Sequence, residues 1–384
     1  MDSNISFQSK LLNTPISIFT IMSGLANEHK AINLSQGFPN FETSRKLMDL
    51  VTENMILGNN QYAAMQGNLD LRLQIAKKIK LIYQKDIDPI SEITITAGAT
   101  QALFTAISAF VENGDEVIVI EPAYDSYIPA IKLCGGVPVI YELEYPDYSI
   151  DWEKLATLFS AKTKMIIINT PNNPAGKIFK KSDLISLQSI LENKNVILLS
   201  DEVYEHLIYD GESHESVLKY PSLYQKSIAV YSFGKTFHNT GWKIGYVVGP
   251  DYLMQEFRKV HQFNVFSVNT PIQAALATFM NDPNEFMGLQ NFYQAKRDYF
   301  LEQTKSSRLE PIPCEGTYFQ LFSYKNVSNN SDLDFAKYLT TDIGVASIPI
   351  SAFYTSKRDD HVLRFCFAKT EETLEKAGAL LNKL

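Results

Sequence analysis

The chain has 384 residues, enough for one core of roughly 250 residues and a smaller domain. Its 45% apolar and 20% charged content is that of a soluble globular protein, and 35 Lys+Arg against 43 Asp+Glu leave a net charge of −8, which argues against nonspecific binding to nucleic acid. No run reaches the roughly 18 consecutive apolar residues of a membrane helix, and the opening MDSNISFQSKLLNTP carries Asp2 and no apolar leader segment. Three scattered cysteines, Cys134, Cys314 and Cys366, read as buried thiols of a reducing compartment, so the expected location is cytoplasmic.

In chain order, the first elements are a helical piece from Phe19 to His29 and the extended INLSQGFPNF, which turns at Gly37 and Pro39. An apolar-periodic helix is predicted from about Thr100 to the Asn113-Gly114 turn, followed by a strand from Glu116 to Ile120. MIIIN, VILLS and SIAVYSF are short apolar runs of the kind buried on both faces of a sheet. Helical segments such as Lys181 to Asn193 separate some of them, and the alternation predicts an α/β fold with a mostly parallel sheet. After Pro250 helices dominate, Pro271 to Met280 and Glu285 to about Ser306. Strands in YFQLF and HVLRFCF and a final helix from Glu372 follow. The expected division is an N-terminal segment, 1–40, packing with the small domain; a large domain, 41–284; and a small α+β domain, 285–384.

Ligands of such folds gather at the carboxyl ends of the strands. At the first of these, TAGATQALF, the amides of Ala99 and Thr100 offer an anion site or a plain helix cap. In EPAYDSY, Tyr124 is placed to lie on a flat ring or to fill the core. In NTPNNPAG, Asn173 is a directed neutral donor or a turn residue. Asp201, just past VILLS, needs a cation, from the protein or from a ligand's protonated ring nitrogen; Tyr204 follows it. In YSFGKTFHNTGWKIGY, Ser232 and Lys243 suit an anion. Lys235 suits a nucleophile or base whose pKa is lowered by desolvation and by Lys243. Arg364, the only charged residue in the apolar run Val362 to Ala368, is suited to fork onto a carboxylate or to pair with an acid at the domain interface. An anion nest, an aromatic plate, a carboxylate for a pyridinium nitrogen and a lysine for an aldehyde together describe the needs of pyridoxal 5'-phosphate.

The chain also resembles the fold-type I, class I/II pyridoxal-phosphate aminotransferases over nearly its full length. NQYAAMQG, TAGATQALF, NTPNNPAG, SDEVYEH, SFGKTFHNTGWKIGY, VHQFNVFSVNTPIQAAL and CEGTYF match in family order. The likeness is greatest to the bacterial methionine aminotransferases, then to the kynurenine and glutamine aminotransferases. It implies the aspartate-aminotransferase-like fold, with Lys235 as the lysine that captures the cofactor aldehyde. Asp201 would be the pyridinium partner, Tyr204 and Asn173 ligands of the phenolic oxygen, and Tyr124 the ring-stacking aromatic. Ala99, Thr100, Ser232 and Lys243 would form the phosphate cup, and Arg364 with the Gly37 backbone would hold the substrate carboxylate. Much of the broader family has arginine where Lys243 stands.

Tyr62 matches a tyrosine that reaches the phosphate of the other subunit, which implies a homodimer. Phe19 matches an aromatic over the substrate side chain, and with Tyr62, Phe263 and Phe266 it suggests a roomy apolar pocket. The implied reaction is transamination of an L-amino acid to its 2-oxo acid, methionine first, aromatic amino acids second, kynurenine also admitted. The rival readings are a pyridoxal-phosphate C–S β-lyase acting on cysteine conjugates and a non-catalytic regulatory protein of the same fold. No nucleic acid, membrane or metal is expected.

Overall fold

The structure is a computed structural model that describes residues 8–12 and 14–384. Residues 1–7 and Asn13, on which the leader reading partly rests, lie outside the described residues. Among the described residues no helix is long and apolar enough to cross a membrane.

Seven strands form the main sheet, in the order Ile93–Thr96, Gly245–Val248, Ser227–Ser232, Ile197–Asp201, Thr163–Asn169, Glu116–Glu121, Val137–Glu142. Gly245–Val248 runs antiparallel to both of its neighbours, and the other six point the same way. The apolar runs are continuous because both faces are buried. Ile118, Ile166, Ile168 and Tyr231 enter one core cluster, while Val117, Val119, Ile167 and Val230, one position out of phase, enter another. The helices Leu69–Tyr83 and Lys181–Leu191 cover the first face. Ala99–Phe110, Tyr127–Leu133 and Asp251–Asn264 cover the second.

The C-terminal part carries a separate antiparallel sheet, Ile348–Pro349, Val362–Cys366, Phe319–Ser323 and Glu310–Pro311. The N-terminal segment joins it: Ile32–Asn33 pairs in parallel with Val345–Ala346, and Leu34 accepts a hydrogen bond from the Cys366 amide at 2.8 Å. The region expected as one helix from Glu285 is two, Asn284–Met287 and Leu289–Thr304, broken at Gly288.

Behind the sheet end that carries Asp201 lies a buried ion pair. Lys78 donates to Glu205 and, at 3.0 Å, to the Tyr246 hydroxyl, and the Tyr83 hydroxyl donates to the other Glu205 oxygen. Burial opposes charge on Glu205, but Lys78 and His206 overcome it and hold the carboxyl below the usual carboxylate range. Removing one partner strands the other charge in the core. Lys78→Met is therefore expected to lower unfolding stability by about 3–5 kcal/mol, and adding Glu205→Leu should restore most of it. Urea denaturation of the two variants measures both effects.

Candidate active site

A cavity of about 320 Å³ opens where the parallel strands end. At one end stands the start of the helix Ala99–Phe110. Its N-cap, Gly98, has φ +79°, and a Cβ there would lie 3.3 Å from the Lys243 Cε and 3.4 Å from its Nζ. The Lys243 side chain thus passes close to the Gly98 backbone at the start of the helix, and a side chain at position 98 would crowd it. Gly245 allows the approach from the other side, since a Cβ there would meet the Tyr231 carbonyl at 2.6 Å and the Ala99 nitrogen at 3.1 Å. Ser232 precedes the short helix Phe233–Thr236 without using its hydroxyl as a cap. The Thr100 hydroxyl lies 3.2 Å from that of Tyr124. Unspent amides, two hydroxyl side chains and an ammonium make a cup for a phosphate dianion.

Asp201 ends the central strand Ile197–Asp201. Its carboxylate accepts from the Tyr127 hydroxyl at 2.6 Å and from the Val203 amide at 3.3 Å. Burial nevertheless raises its pKa to about 6. Among the described residues no cation pairs with it, so the alternative of a protein partner is set aside. A protonated ring nitrogen would supply the missing charge.

Asn173 is aimed by its neighbours. Its amide donates to the Asn169 Oδ1 at 2.7 Å, and its own Oδ1 accepts from Arg364 Nη1 at 2.7 Å. Tyr204 is buried beside it in the cavity wall, its ring edge-on to Tyr318 with centroids 5.2 Å apart.

Lys235 reaches in from the turn after Ser232. Its Nζ donates to the Tyr318 hydroxyl at 2.5 Å and to the Gly37 carbonyl at 3.2 Å. Burial is the main reason its pKa falls to about 8; Arg364 and then Lys243 push the same way, while Cys366 and Asp201 oppose. Lys243, expected as the neighbour that lowers this pKa, contributes less than burial or Arg364.

Arg364 is 1% exposed. Nη1 is bound to Asn173, Nη2 donates to the Ser35 carbonyl at 3.0 Å, and Nε has no partner among the described residues. Burial lowers its pKa to about 10. The faces of Phe319, Phe353 and Phe19 lie 3.8, 5.0 and 5.2 Å from the guanidinium carbon. Among the described residues no carboxylate forms an ion pair with it, so the interface-acid reading also falls away. A buried guanidinium with an unspent N–H beside apolar rings suits an incoming carboxylate that carries an apolar side chain.

Tyr62 is 82% exposed and lies outside this cavity, edge-on to Phe266 at 5.4 Å, and Phe263 is 86% exposed. The expectation that Phe263 and Phe266 line the pocket does not hold within one chain, where Phe319 and Phe353 are the aromatics beside Phe19 and Arg364. Two further tyrosines went unassigned in the sequence. Tyr127 is the second tyrosine of EPAYDSY, one helical turn after Tyr124. Tyr318 sits within CEGTYF, where nothing in its spacing separates it from core filling.

The cup, the unpaired acid and the lysine between them fit pyridoxal phosphate, and the chain's relatives agree. The family described as aminotransferase class I and II matches residues 29–380. The methionine aminotransferase of Escherichia coli (strain K12) is 46% identical over 378 residues, covering 98% of each chain. A kynurenine–oxoglutarate transaminase of Dictyostelium discoideum is 35% identical, over 96% of this chain and 94% of its own. The solved structure of the Escherichia coli protein YbdL, with a methionine aminotransferase function, superposes with a TM-score of 0.96 at 46% identity, covering 99% of this chain and 100% of that one. With its fold, motifs and relatives in agreement, the chain belongs to the class I and II aminotransferases of fold type I, whose cofactor is pyridoxal phosphate.

Proposed function

We propose that this aminotransferase prefers methionine as amino donor, accepts aromatic amino acids second and also admits kynurenine, passing the amino group to a 2-oxo acid. The observation that carries the reading is Arg364, the one guanidinium lining the cavity among the described residues, with its Nε unspent and aromatic rings around it. One arginine holds the α-carboxylate; a second, needed for the distal carboxylate of aspartate, is absent from that lining. Phe19 and Phe319 leave an apolar space that a flexible thioether fills well. The relatives named for methionine and kynurenine support these two as candidate donors.

Bound in this cavity, pyridoxal phosphate supplies an electron sink for the charge that develops at the substrate α-carbon. Asp201 would hold a proton on the ring nitrogen, and Tyr204 and Asn173 would bind the phenolic oxygen. Lys235 would be the residue that holds the aldehyde carbon and, as a free amine, the base that accepts and returns the α-proton. Tyr124 would lie against the ring. Ala99, Thr100, Ser232 and Lys243 would hold the phosphate and so keep the group within reach of Lys235. Tyr62, exposed in one chain, completes the cup of a second copy in a homodimer, with Phe263 and Phe266 on the covered face. The division at 41–284 and 285–384 sets the cavity between a sheet that holds the cofactor and a smaller unit that carries Arg364. The chain works in the cytoplasm.

Comparing kcat/KM over the common amino acids is expected to rank methionine first, phenylalanine and tyrosine next and aspartate far below; a preference for aspartate overturns this pocket. Lys235→Ala should bind the cofactor without covalent attachment and lose turnover. In cofactor-free protein, the rate of covalent capture of pyridoxal phosphate should rise across pH 7–9. Its midpoint should lie near the pKa of about 8, because only the neutral amine attacks; borohydride quenching and peptide mass spectrometry read it.

A further inference from the structure

Tyr318 touches the lysine but lies outside the cavity lining. Its side chain is fully buried, and its hydroxyl donates to the Gly37 carbonyl at 2.5 Å while accepting from Lys235 Nζ at 2.5 Å. Three distant parts of the chain therefore meet at one amine: the N-terminal segment through Gly37, the main sheet through Lys235, and the C-terminal sheet through Tyr318.

The arrangement is fixed from behind. Thr317, a buried β-branched residue, has φ +69°, a conformation such residues rarely adopt. It is held there by its amide on the Leu207 carbonyl at 3.0 Å, by the Tyr209 hydroxyl on its own carbonyl, and by its hydroxyl, which accepts from the Phe319 amide at 3.1 Å. The Tyr318 ring is walled by Tyr204, Tyr293 and Phe319, at 5.2, 5.9 and 4.8 Å between centroids. Gly37 fits against Phe319 so closely that a Cβ would lie 2.7 Å from its Cζ. Packing alone would be met by phenylalanine; the hydroxyl is the part that needs a reason.

We propose that Tyr318 is a positioning residue for Lys235: its hydroxyl and the Gly37 carbonyl take both N–H hydrogens of the neutral amine and leave the lone pair facing the cavity. A neutral amine on a tetrahedral nitrogen has two hydrogens and one lone pair beyond its bond to Cε. The two acceptors at 2.5 and 3.2 Å occupy the hydrogens. The remaining direction is the one in which the aldehyde is captured and the α-proton received. Because the Tyr318 hydrogen is spent on Gly37, the phenol does not compete for that lone pair. This inference deepens the functional reading above and rests on Lys235 being the capturing lysine.

The test is the pH profile of covalent capture in parent and Tyr318→Phe protein. The ionisable groups facing Lys235 are Asp201 and Tyr204 from the central strand and its loop, Arg364 and Cys366 from the strand Val362–Cys366, Lys243, and Tyr318 itself. Only the last is changed. Losing an acceptor destabilises the ammonium more than the amine, so the capture midpoint should fall by about half a pH unit or more. With the amine no longer oriented, kcat should drop about 10–100-fold with KM little altered. Tyr293→Phe, a neighbouring ring without a bond to the amine, should leave the midpoint where it was. If Tyr318→Phe does not fold, tyrosine carrying one ring fluorine at position 318 keeps the shape and weakens the oxygen as an acceptor, giving a smaller shift of the same sign. No adduct at residue 235 in the parent removes the functional reading. An adduct with the same midpoint in parent and variants overturns the role of Tyr318 alone.

Discussion

Two buried charged side chains that form no ion pair among the described residues organise this molecule. Asp201 ends the central strand and accepts hydrogen bonds only from neutral donors, and Arg364 lies 1% exposed, bonded to neutral acceptors and ringed by aromatic faces. Neither arrangement is stable for its own sake, because isolated charge in a low-dielectric interior costs more than hydrogen bonds to neutral groups return. Each makes sense as half of a pair whose other half arrives from solution: a cation for Asp201 and an anion for Arg364. The fold places the two charges on different sheets that face one cavity, and Asn173, bound to Arg364 and set by Asn169 beside Asp201, connects them. A molecule that meets both must be amphoteric or must combine a cofactor with a substrate.

Lys235 is governed by the same constraint in a milder form. Its amine is shielded from bulk water and stands near two other cations, so neutrality is cheap. The Tyr318–Gly37 pair then decides where that neutral amine points. Burial sets the protonation state and hydrogen bonding sets the direction, and the two are supplied by different parts of the chain.

Much of this was legible in the sequence because it is local. The apolar runs identified the strands, since a strand buried on both faces has no polar alternation to disguise it. The residues just beyond them, Ala99, Tyr124, Asn173, Asp201 and Lys235, line the cavity because carboxyl ends of parallel strands converge. What the sequence hid is what depends on folding. Tyr127 sits on the helix Tyr127–Leu133, and only the superposition of that helix on the sheet turns its hydroxyl onto Asp201. Tyr318 looks like any aromatic flanking a strand until Thr317 adopts a left-handed backbone and turns it. The break at Gly288 was missed because the apolar periodicity continues across it. Phe263 and Phe266 lie outside the cavity of a single chain, because aromatic composition says nothing about which side of a helix end faces that cavity.

The reversed strand Gly245–Val248 lies between Ile93–Thr96 and Ser227–Ser232. Ile93–Thr96 therefore has no sheet neighbour until a segment about 150 residues later has been synthesised and inserted beside it. Such long-range closure is slow compared with helix formation. A nascent chain ending before Lys243 would leave the Gly98 turn without that side chain and the edge of Ile93–Thr96 unpaired. The anion cup, which needs both the Gly98 turn and Lys243, is thus among the last parts of the large sheet to be completed.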